Sequence, residues 1–445
     1  MRRLLLTFYG DDFTGSADAM EALALNGVRC LLFLSPPTPE LLCEKFPEVE
    51  AIGVAGASRT MNAPQMESEL TKIFTQIAAL NARIFHYKIC STFDSSPKIG
   101  SIGKAIDIGQ QIFHSPFVPL LVGAPVLKRY CLFGNLFASV GAETFRLDRH
   151  PMMRRHPVTP MQESDLRLHL AQQTAKKIAL FDLFNLTGTS EAVAQNFQQL
   201  LASDAAIILF DVLDEARLQT AGKLIWQSCD EQILFTVGSS GIEYALAAHW
   251  QKAETRAAYS SAGAAEQIIV ISGSCSTATK TQIEWACANN FTSIEIEAAK
   301  LVSYDQAASE RERIKQTALR ALNSGHSIVI YSALGPDDPN ITTTDESSVT
   351  QMRVRLGVQQ GLILNDLLVS SNIRRVCVAG GDTSSHVIRQ LGIYALELVA
   401  TMAPGSPLCR AHSHEPTLDG LEIAMKGGQH GRADYFGCVL RGVYE

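Results

Sequence analysis

The sequence predicts an α/β protein with two domains, each a mostly parallel sheet flanked by helices. Short apolar runs of strand length alternate with amphipathic segments of helical length along the whole chain. Turns rich in Gly, Ser and Thr directly follow several of the apolar runs. The 445 residues are too many for one ordinary domain. We expect the active site to lie in the cleft between the two domains.

The first domain is predicted over residues 1–250. Its predicted strands are 4–8, 28–34, 51–55, 84–90, 118–122, 178–181, 206–211 and 232–237. Its predicted helices are 17–26, 66–80, 190–201, 214–227 and one that ends near 250. The stretches 123–135 and 146–160 are predicted loops, and the prolines of the second forbid a regular element. His150 and His156 in this loop are metal-ligand types, but no third ligand is suggested, so we propose no metal-binding histidine site.

The composition changes at residues 251–267, which are rich in Ala, Ser and Gly and predict a linker. The second domain is predicted over residues 268–445. Its predicted strands are 268–271, 293–296, 327–332, 376–379, 394–400 and 421–425. Its predicted helices are one that ends at 288, and 309–324, 351–370 and 383–391. Residues 402–407 are predicted to form a loop.

Composition indicates a globular protein and argues against two classes of partner. Hydrophobic residues make up 46% and charged residues 19% of the chain. The net charge of -7 and the lack of basic runs argue against nucleic-acid binding. No apolar run has the length of a membrane span. The ten scattered cysteines, without a C-x-x-C pair, predict reduced, mostly buried thiols and a cytoplasmic location. A homo-oligomer is compatible with the sequence.

Charged side chains follow three predicted strands of the first domain. Asp11 and Asp12 follow the first strand, Arg59 follows the third, and Lys88 and Asp94 lie at the end of the fourth. Ligands of open α/β sheets bind at the carboxyl ends of the strands. The pattern therefore predicts a pocket for a small polar ligand, with cations suited to a carboxylate or phosphate. One aspartate would suffice as a helix N-cap, so the adjacent pair favours a functional role over a capping role alone.

The second domain contains three glycine-rich turns, each after a predicted strand. Gly380 and Gly381 lead into a helix start, the turn 272–279 has the same form with more hydroxyls, and the segment 426–431 follows the last strand. Backbone N–H groups and the helix dipole at such turns favour a bound anion, most often a phosphate. The alternative is an ordinary βα turn with no ligand.

Five short motifs, taken in order, make the chain resemble the four-carbon acid sugar kinase family over essentially its whole length. They are Asp11-Asp12-Phe13-Thr14-Gly15, Lys88 to Asp94, Ser272 to Ser276, Gly380 to Thr383, and Pro404 to Pro407. The chain departs from the family pattern at Gly427 and Gln429, where Ser and Asn are usual. It departs again at Ser95-Ser96, where an Arg-Gly pair is common and where the loop 146–160 offers other arginines.

The resemblance implies an ATP-dependent kinase that phosphorylates a hydroxyl of a four-carbon sugar acid of the 3-oxo-tetronate, threonate or erythronate type, in carbohydrate-acid catabolism with Mg²⁺. Asp12 and Asp11 are the candidate catalytic residues, and either could be the base. The expected contacts to the acid are Thr14, Gly15, Arg59, Lys88, Ser91 and Asp94. The expected contacts to the nucleotide are Ser274, Ser276, Gly380, Gly381, Asp382, Thr383, Gly405, Lys426, Gly427 and Gly428. Metal ligands are not assigned.

Three other functions stay open at this point. A branched, apionate-type acid would need only a different placement of side chains in the same kinase. A non-catalytic sensor of a sugar acid or nucleotide is compatible with the changes at Gly427 and Gln429. A dinucleotide-dependent oxidoreductase would share the architecture, but no G-x-G-x-x-G turn follows the first strand and Asp11-Asp12 would repel a pyrophosphate.

Overall fold

The structure, a computed structural model, describes residues 3–156, 158–252, 256–336, 338 and 346–444. The chain forms two compact units, Met1–Thr255 and Arg256–Glu445. In each unit helices flank a mostly parallel sheet, which confirms the predicted fold class.

The strands of the first unit form a parallel sheet in the order β2, β3, β1, β4, β11, β5, β10, β9, with a separate meander β6–β7–β8. The strands are β1 (Leu6–Gly10), β2 (Cys30–Phe33), β3 (Ala51–Ala55), β4 (Ile84–Lys88), β5 (Val118–Leu121), β6 (Arg129–Leu132), β7 (Asn135–Val140), β8 (Glu143–Arg146), β9 (Ile178–Phe181), β10 (Ile207–Phe210) and β11 (Leu234–Gly238). The helices are α1 (Phe13–Leu25), α2 (Pro39–Lys45), α3 (Ala63–Ala78), α4 (Ile102–Phe113), α5 (Leu166–Ala171), α6 (Ser190–Leu201), α7 (Glu215–Gln227) and α8 (Gly241–Trp250).

Aromatic packing joins the centre of this sheet to two of its helices. The ring of Phe85 on β4 lies 4.5 Å from that of Phe113 and 5.8 Å from that of Phe235. The ring of Phe74 on α3 lies 4.8 Å from that of Phe85, edge to face. These rings are almost fully buried, so their burial contributes much of the hydrophobic stabilisation that holds β4 and β11 in place. Lys88 is the last residue of β4, and Asp11 and Asp12 follow the neighbouring strand β1.

The second unit has one sheet in the order β13, β14, β12, β15, β18, β17, β16, in which β17 is antiparallel to both of its neighbours. The strands are β12 (Ile269–Ser272), β13 (Phe291–Glu295), β14 (Ser327–Tyr331), β15 (Arg375–Ala379), β16 (Ile393–Thr401), β17 (Pro407–Ser413) and β18 (Glu422–Lys426). The helices are α9 (Thr277–Ala288), α10 (Ala298–Val302), α11 (Ala307–Asn323), α12 (Glu346–Ser370), α13 (Gly381–Arg389) and α14 (Tyr435–Arg441).

Strands β6 and β17 are two of the differences from the sequence prediction. The predicted loop 123–135 contains strand β6 and begins the meander, which Asp211 anchors by accepting the backbone N–H groups of Phe133 and Gly134 at 2.6 and 2.9 Å. The stretch 407–413, assigned no element from the sequence, is β17. Strand β6 pairs with β7, and β17 pairs with β16 and β18, and such context-dependent pairing leaves little sign in a local sequence pattern. Within the described residues, no helix is both long and apolar enough to span a membrane.

Candidate active site

The carboxyl ends of β1, β3 and β4 are level with one another. Gly10, the last residue of β1, pairs in register with Ala55 of β3 and with Lys88 of β4. The turn after β1 hydrogen-bonds to its neighbours through the amide of Asp11, which donates to the Lys88 carbonyl at 2.8 Å. The amide of Arg59 donates to the Asp11 carbonyl at 3.0 Å. The sheet therefore brings Asp11, Arg59 and Lys88 to one edge.

Arg59 binds both aspartates at once. Its Nε and Nη2 atoms donate to the two carboxylate oxygens of Asp11 at 3.1 and 2.7 Å. Its Nη1 and Nη2 atoms donate to those of Asp12, both at 2.9 Å. The planar guanidinium suits such paired contacts because it presents its donors in a fixed arrangement. Both carboxylates are thereby fixed in orientation.

The two aspartates differ in their exposure to solvent. The Asp12 side chain is 29% exposed and also caps α1 by accepting the backbone N–H of Gly15 at 2.9 Å. The Asp11 side chain is only 4% exposed and lies behind it. A Cβ atom on Gly15 would overlap the Asp12 carboxylate, so a glycine is required for this close approach. The capping role considered from the sequence is thus real for Asp12, whose carboxylate stays partly exposed to solvent.

Burial and charge act in opposite directions on these groups. Burial raises the pKa of Asp11, and the charge of Arg59 only partly offsets that rise. Burial disfavours the charge on Arg59, but the two carboxylates outweigh it and hold the pKa of Arg59 well above its usual value. The buried Lys88 behaves likewise, because Asp18, Asp12 and Asp11 raise its pKa against the effect of burial. The site is an alternating cluster of buried charges.

The other predicted acid contacts lie around this cluster. Lys88 donates to the carbonyl of Ile89 at 3.1 Å, and its Nζ atom lies 3.7 Å from the carboxylate of Asp18, which the sequence reasoning did not select. Asp94 is buried and accepts the hydroxyl of Thr92 at 2.7 Å. Thr14 and Ser91 are half-buried on the two neighbouring turns.

In the second unit, too, three strands have carboxyl ends that are level with one another: β12, β15 and β18. Ser272 pairs in register with Ala379, and Ala379 pairs with Lys426. The three glycine-containing turns predicted from the sequence follow these residues, at 273–276, 380–383 and 427–428. The amide of Gly273 donates to the Ala379 carbonyl at 3.1 Å, and that of Gly380 donates to the Lys426 carbonyl at 2.9 Å.

Hydroxyl groups from α9 join two of these turns. The Ser276 hydroxyl donates to the Gly428 carbonyl and accepts the backbone N–H of Thr279 at 3.1 Å as the helix N-cap. The Thr279 hydroxyl lies 3.0 Å from both the Ser274 hydroxyl and the Gly428 carbonyl. Thr279 was not selected from the sequence, although its position three residues after the N-cap is the signal that could have identified it. Cys275, between the two serines, is exposed, contrary to the expectation of mostly buried thiols.

The turn after β15 depends on its glycines. Gly380 has a φ of 122°, which L side chains rarely adopt, and a Cβ there would lie 2.8 Å from the Thr383 hydroxyl. The helix α13 begins at Gly381, two residues earlier than predicted, so its first N–H groups point out of the turn. The side chain of Asp382 lies outside the described part of the chain.

Lys426 is fully buried beneath the turns. Its Nζ atom donates to the Thr279 hydroxyl at 3.0 Å and to the Gly428 carbonyl at 3.4 Å. Burial lowers the pKa of Lys426 from its usual value of 10.5 to about 8. No carboxylate of the described residues forms an ion pair with it. The ring of Tyr435 lies 5.9 Å from Nζ, but no carboxylate of the described residues balances the charge, as expected beside a site for an anion.

Two further contacts hold the segment after β18. The side-chain amide of Gln282 donates to the carbonyls of His430, Gly431 and Arg432 at 2.9, 3.2 and 3.0 Å. Gly405, with a φ of 69°, precedes Ser406, whose hydroxyl lies 3.1 Å from Nδ1 of His430. These contacts bring the turn at Gly405 near the segment that contains Gly427 and Gly428.

The first two arginines of the loop 146–160 pair with a carboxylate of the same loop and not with the candidate site residues. Arg146 donates to Asp148 at 2.7 Å through both Nε and Nη2, and Arg149 contacts the same carboxylate at 3.4 Å. Their side chains are 44% and 73% exposed. The short helical turns at 147–149 and 153–155 are the regular structure of this loop within the described residues.

Family models match both units of the chain. A sugar-binding N-terminal domain matches residues 6–246, and a nucleotide-binding C-terminal domain matches residues 269–436. The chain is 48% identical to a 3-oxo-isoapionate kinase of Paraburkholderia graminis, over 99% of this chain and 94% of that protein. It is 27% identical to a 3-oxo-tetronate kinase of Pseudomonas savastanoi pv. phaseolicola, over 99% and 97% of the two chains.

Solved structures share the fold at lower identity. The crystal structure of Haemophilus influenzae protein HI1011 aligns with a TM-score of 0.73 at 23% identity, over 97% of this chain and 98% of that one. A Salmonella typhimurium LT2 protein aligns with a TM-score of 0.77, also at 23% identity, over 98% of both chains.

The two domain matches and the 48% identity to the Paraburkholderia graminis kinase show that the chain belongs to the four-carbon acid sugar kinase family. It is accordingly a phosphotransferase that acts on a hydroxyl group, within the class of sugar-acid kinases. Use of ATP agrees with the nucleotide-binding domain in its second unit.

Proposed function

We propose that this enzyme transfers the γ-phosphoryl group of ATP to a hydroxyl of a 3-oxo sugar acid. The observation that carries the proposal is the Asp11–Asp12 pair, oriented by Arg59 at the carboxyl edge of the sugar-binding unit. Phosphoryl transfer needs a group that orients the attacking hydroxyl and accepts its proton. A carboxylate held in place by an arginine is suited to that role.

Asp12 is the proposed base, because its carboxylate is the more exposed of the two. The buried Asp11 then acts as a positioning residue, since it fixes Arg59, which in turn fixes Asp12. Arg59 lies between the two carboxylates and offsets part of their mutual repulsion. Lys88, Thr14, Gly15, Ser91 and Asp94 are the proposed contacts to the hydroxyl and oxo groups of the acid.

The second unit is the proposed nucleotide site. The turns at Ser274–Ser276, Gly380–Thr383 and Gly427–Gly428 offer backbone N–H groups and hydroxyls to phosphate oxygens, and Gly405 lines the same region. Lys426 supplies a buried positive charge beneath them. A Cβ on Gly428 would lie 2.8 Å from the Ser274 hydroxyl, so the turn has no room for a side chain at this position.

Mg²⁺ enters this proposal with the nucleotide. The described residues contain no cluster of three or more acidic, histidine or cysteine ligands. That agrees with the general habit of Mg²⁺ to keep several waters and to bind substrate phosphates with one or two carboxylates. Asp12 is the carboxylate with the exposure to contribute such a ligand. When bound, the ion would neutralise the charge that develops on the phosphates.

The acceptor is proposed as a 3-oxo acid because the names of both kinds of relative share that group. The 3-oxo-tetronate acceptor belongs to this class, and so does 3-oxo-isoapionate. A non-catalytic sensor is not favoured, because relatives named as kinases match almost the whole chain. The cytoplasmic location stays a prediction.

A coupled assay of ADP release with a panel of acids tests the proposal. The panel holds 3-oxo-tetronate, 3-oxo-isoapionate, threonate and erythronate, each with ATP and Mg²⁺. We expect turnover with at least one 3-oxo acid that exceeds turnover with threonate and erythronate. ATP binding in calorimetry together with no turnover on any acid would restore the sensor function.

A further inference from the structure

We propose that Arg129 binds the carboxylate of the acid substrate and so selects an anionic acceptor. This inference rests on the proposed function, because it assigns one contact within the acid site. Its basis is a half-buried guanidinium whose buried Nε donor has no hydrogen-bond partner, at the start of strand β6.

Arg129 lies at the same edge of the sheet as the aspartates. Strand β5 is separated from β4 only by β11, which is parallel to both. The loop after β5 is closed by two hydrogen bonds between the backbones of Ala124 and Arg129, at 2.9 and 3.1 Å. Cys131, two residues on, exchanges a further pair with Val212, both at 2.9 Å. Arg129 therefore starts a strand that is fixed on both sides.

The guanidinium of Arg129 is incompletely satisfied. Its Nη1 atom donates to the carbonyls of Leu127 and Lys128, at 3.0 and 3.2 Å. Its Nε atom is buried without any hydrogen-bond partner. A buried donor on a charged group without a partner is costly, and a ligand that supplies the missing acceptor removes that cost.

The surroundings of Arg129 connect it to the candidate site. Burial lowers the pKa of Arg129, while Cys90 and Asp94 oppose that effect through their charge. Burial and the charge of Asp94 raise the pKa of the Cys90 thiol to about 11, and the charge of Arg59 opposes that rise. Arg129 and Arg59 therefore both lie within electrostatic range of the turn that contains Cys90 and Asp94.

Four other cations of the unit already pair with carboxylates. Arg59 uses its Nε, Nη1 and Nη2 atoms on two carboxylates, and Lys88 lies near Asp18. Arg146 and Arg167 each make two contacts to a carboxylate within two residues in the sequence. Arg129 combines burial with an open donor, and a carboxylate is the ligand that a guanidinium binds best through two parallel bonds.

The test compares Arg129→Gln with Arg217→Gln in the full chain. Arg217 lies on α7 of the same unit, and its half-exposed side chain pairs with Asp214 at 3.0 Å. Titration calorimetry with 3-oxo-tetronate and with 3-oxo-isoapionate, without nucleotide, measures acid binding directly. We expect Arg129→Gln to weaken acid binding about 10- to 100-fold, as for loss of a charge-assisted hydrogen bond. We expect Arg217→Gln to bind the acids as tightly as wild type does. We expect the KM for ATP to stay at the wild-type value.

Two further measurements separate binding from structure. The carboxamide analogue of the acid should bind wild type and Arg129→Gln equally, since it lacks the charge. Arg129→Lys should recover part of the affinity for the acid, and it decides the matter if the glutamine variant does not fold. Unchanged acid binding in Arg129→Gln with normal turnover overturns this inference alone. Failure of wild type to bind either acid overturns the inference and the proposed function together.

Discussion

Replacement of Arg59 by glutamine should destabilise the protein strongly, because it leaves two carboxylates without their cation. Four hydrogen bonds of 2.7 to 3.1 Å would be lost. Removing one partner of a buried ion pair typically costs about 3–5 kcal/mol. Only Asp11 is buried, whereas Asp12 keeps contact with water and with Gly15. The loss should therefore fall near the lower end, at about 3 kcal/mol.

Chemical denaturation of the full chain, followed by tryptophan fluorescence, measures this loss. Trp226 and Trp250 report on the N-terminal unit, where their rings lie 5.4 Å apart. The matched control is Arg29→Gln, whose pair with Glu48 has a length of 2.9 Å but side chains 62% and 72% exposed. Such an exposed pair contributes little, so no measurable change is expected.

A second variant identifies the cause of the loss. Asp11→Asn added to Arg59→Gln removes the unpaired buried charge and should recover part of the lost free energy of unfolding. If Arg59→Gln is no less stable than Arg29→Gln, the pair does not stabilise the site as argued. If the double variant is less stable still, packing and not charge causes the effect.

Three other predictions concern the second unit. Because burial lowers the pKa of Lys426 to about 8, the unfolded chain holds a proton between pH 8 and 10.5 that the folded chain lacks. The free energy of unfolding should therefore rise with pH in that range, while ATP binding measured by calorimetry should weaken as pH passes about 8. Lys426→Met should abolish both trends. Gly380→Ala should cost about 1–3 kcal/mol in the same denaturation assay, because alanine is strained at a φ of 122°, and it should weaken ATP binding while acid binding persists. ATP with Mg²⁺ should slow alkylation of the exposed Cys275, measured by peptide mass spectrometry, and should leave the exposed Cys43 unaffected; equal rates at Cys275 with and without nucleotide would count against the nucleotide site.

Local sequence signals predicted the strands of the sheets and the turns that follow them. Strand β3 and helix α6 have the predicted bounds, because their apolar patterns and caps are strong within the segment itself. Helix α4 was assigned no element, since Gly103 and Gly109 weaken its helical pattern. The structure gives the reason for these glycines: Gly109 faces the ring of Phe235 and Gly103 faces the backbone of Gln173 so closely that a Cβ would overlap.

The sequence predicted which residues of the candidate site lie close together, but not which of their side chains bind each other. Strand ends brought Asp11, Arg59 and Lys88 together as expected, because parallel strands in register have level ends. The sequence could not reveal that Arg59 binds both aspartates, since that depends on side-chain geometry across two loops. The sequence did not predict Arg129 for a similar reason. Its strand β6 is fixed in part by the bridge between Cys131 and Val212, which are far apart in the sequence.

Single-turnover transfer of labelled phosphate from ATP to a 3-oxo acid tests the central claim most directly, with wild type and Asp12→Asn compared under saturating ATP. The account predicts a phosphorylated acid with wild type. It predicts a rate at least about a hundredfold lower with Asp12→Asn, as for loss of a general base, while calorimetry gives unchanged ATP binding. Transfer by Asp12→Asn at the wild-type rate would contradict the account and would remove Asp12 as the base.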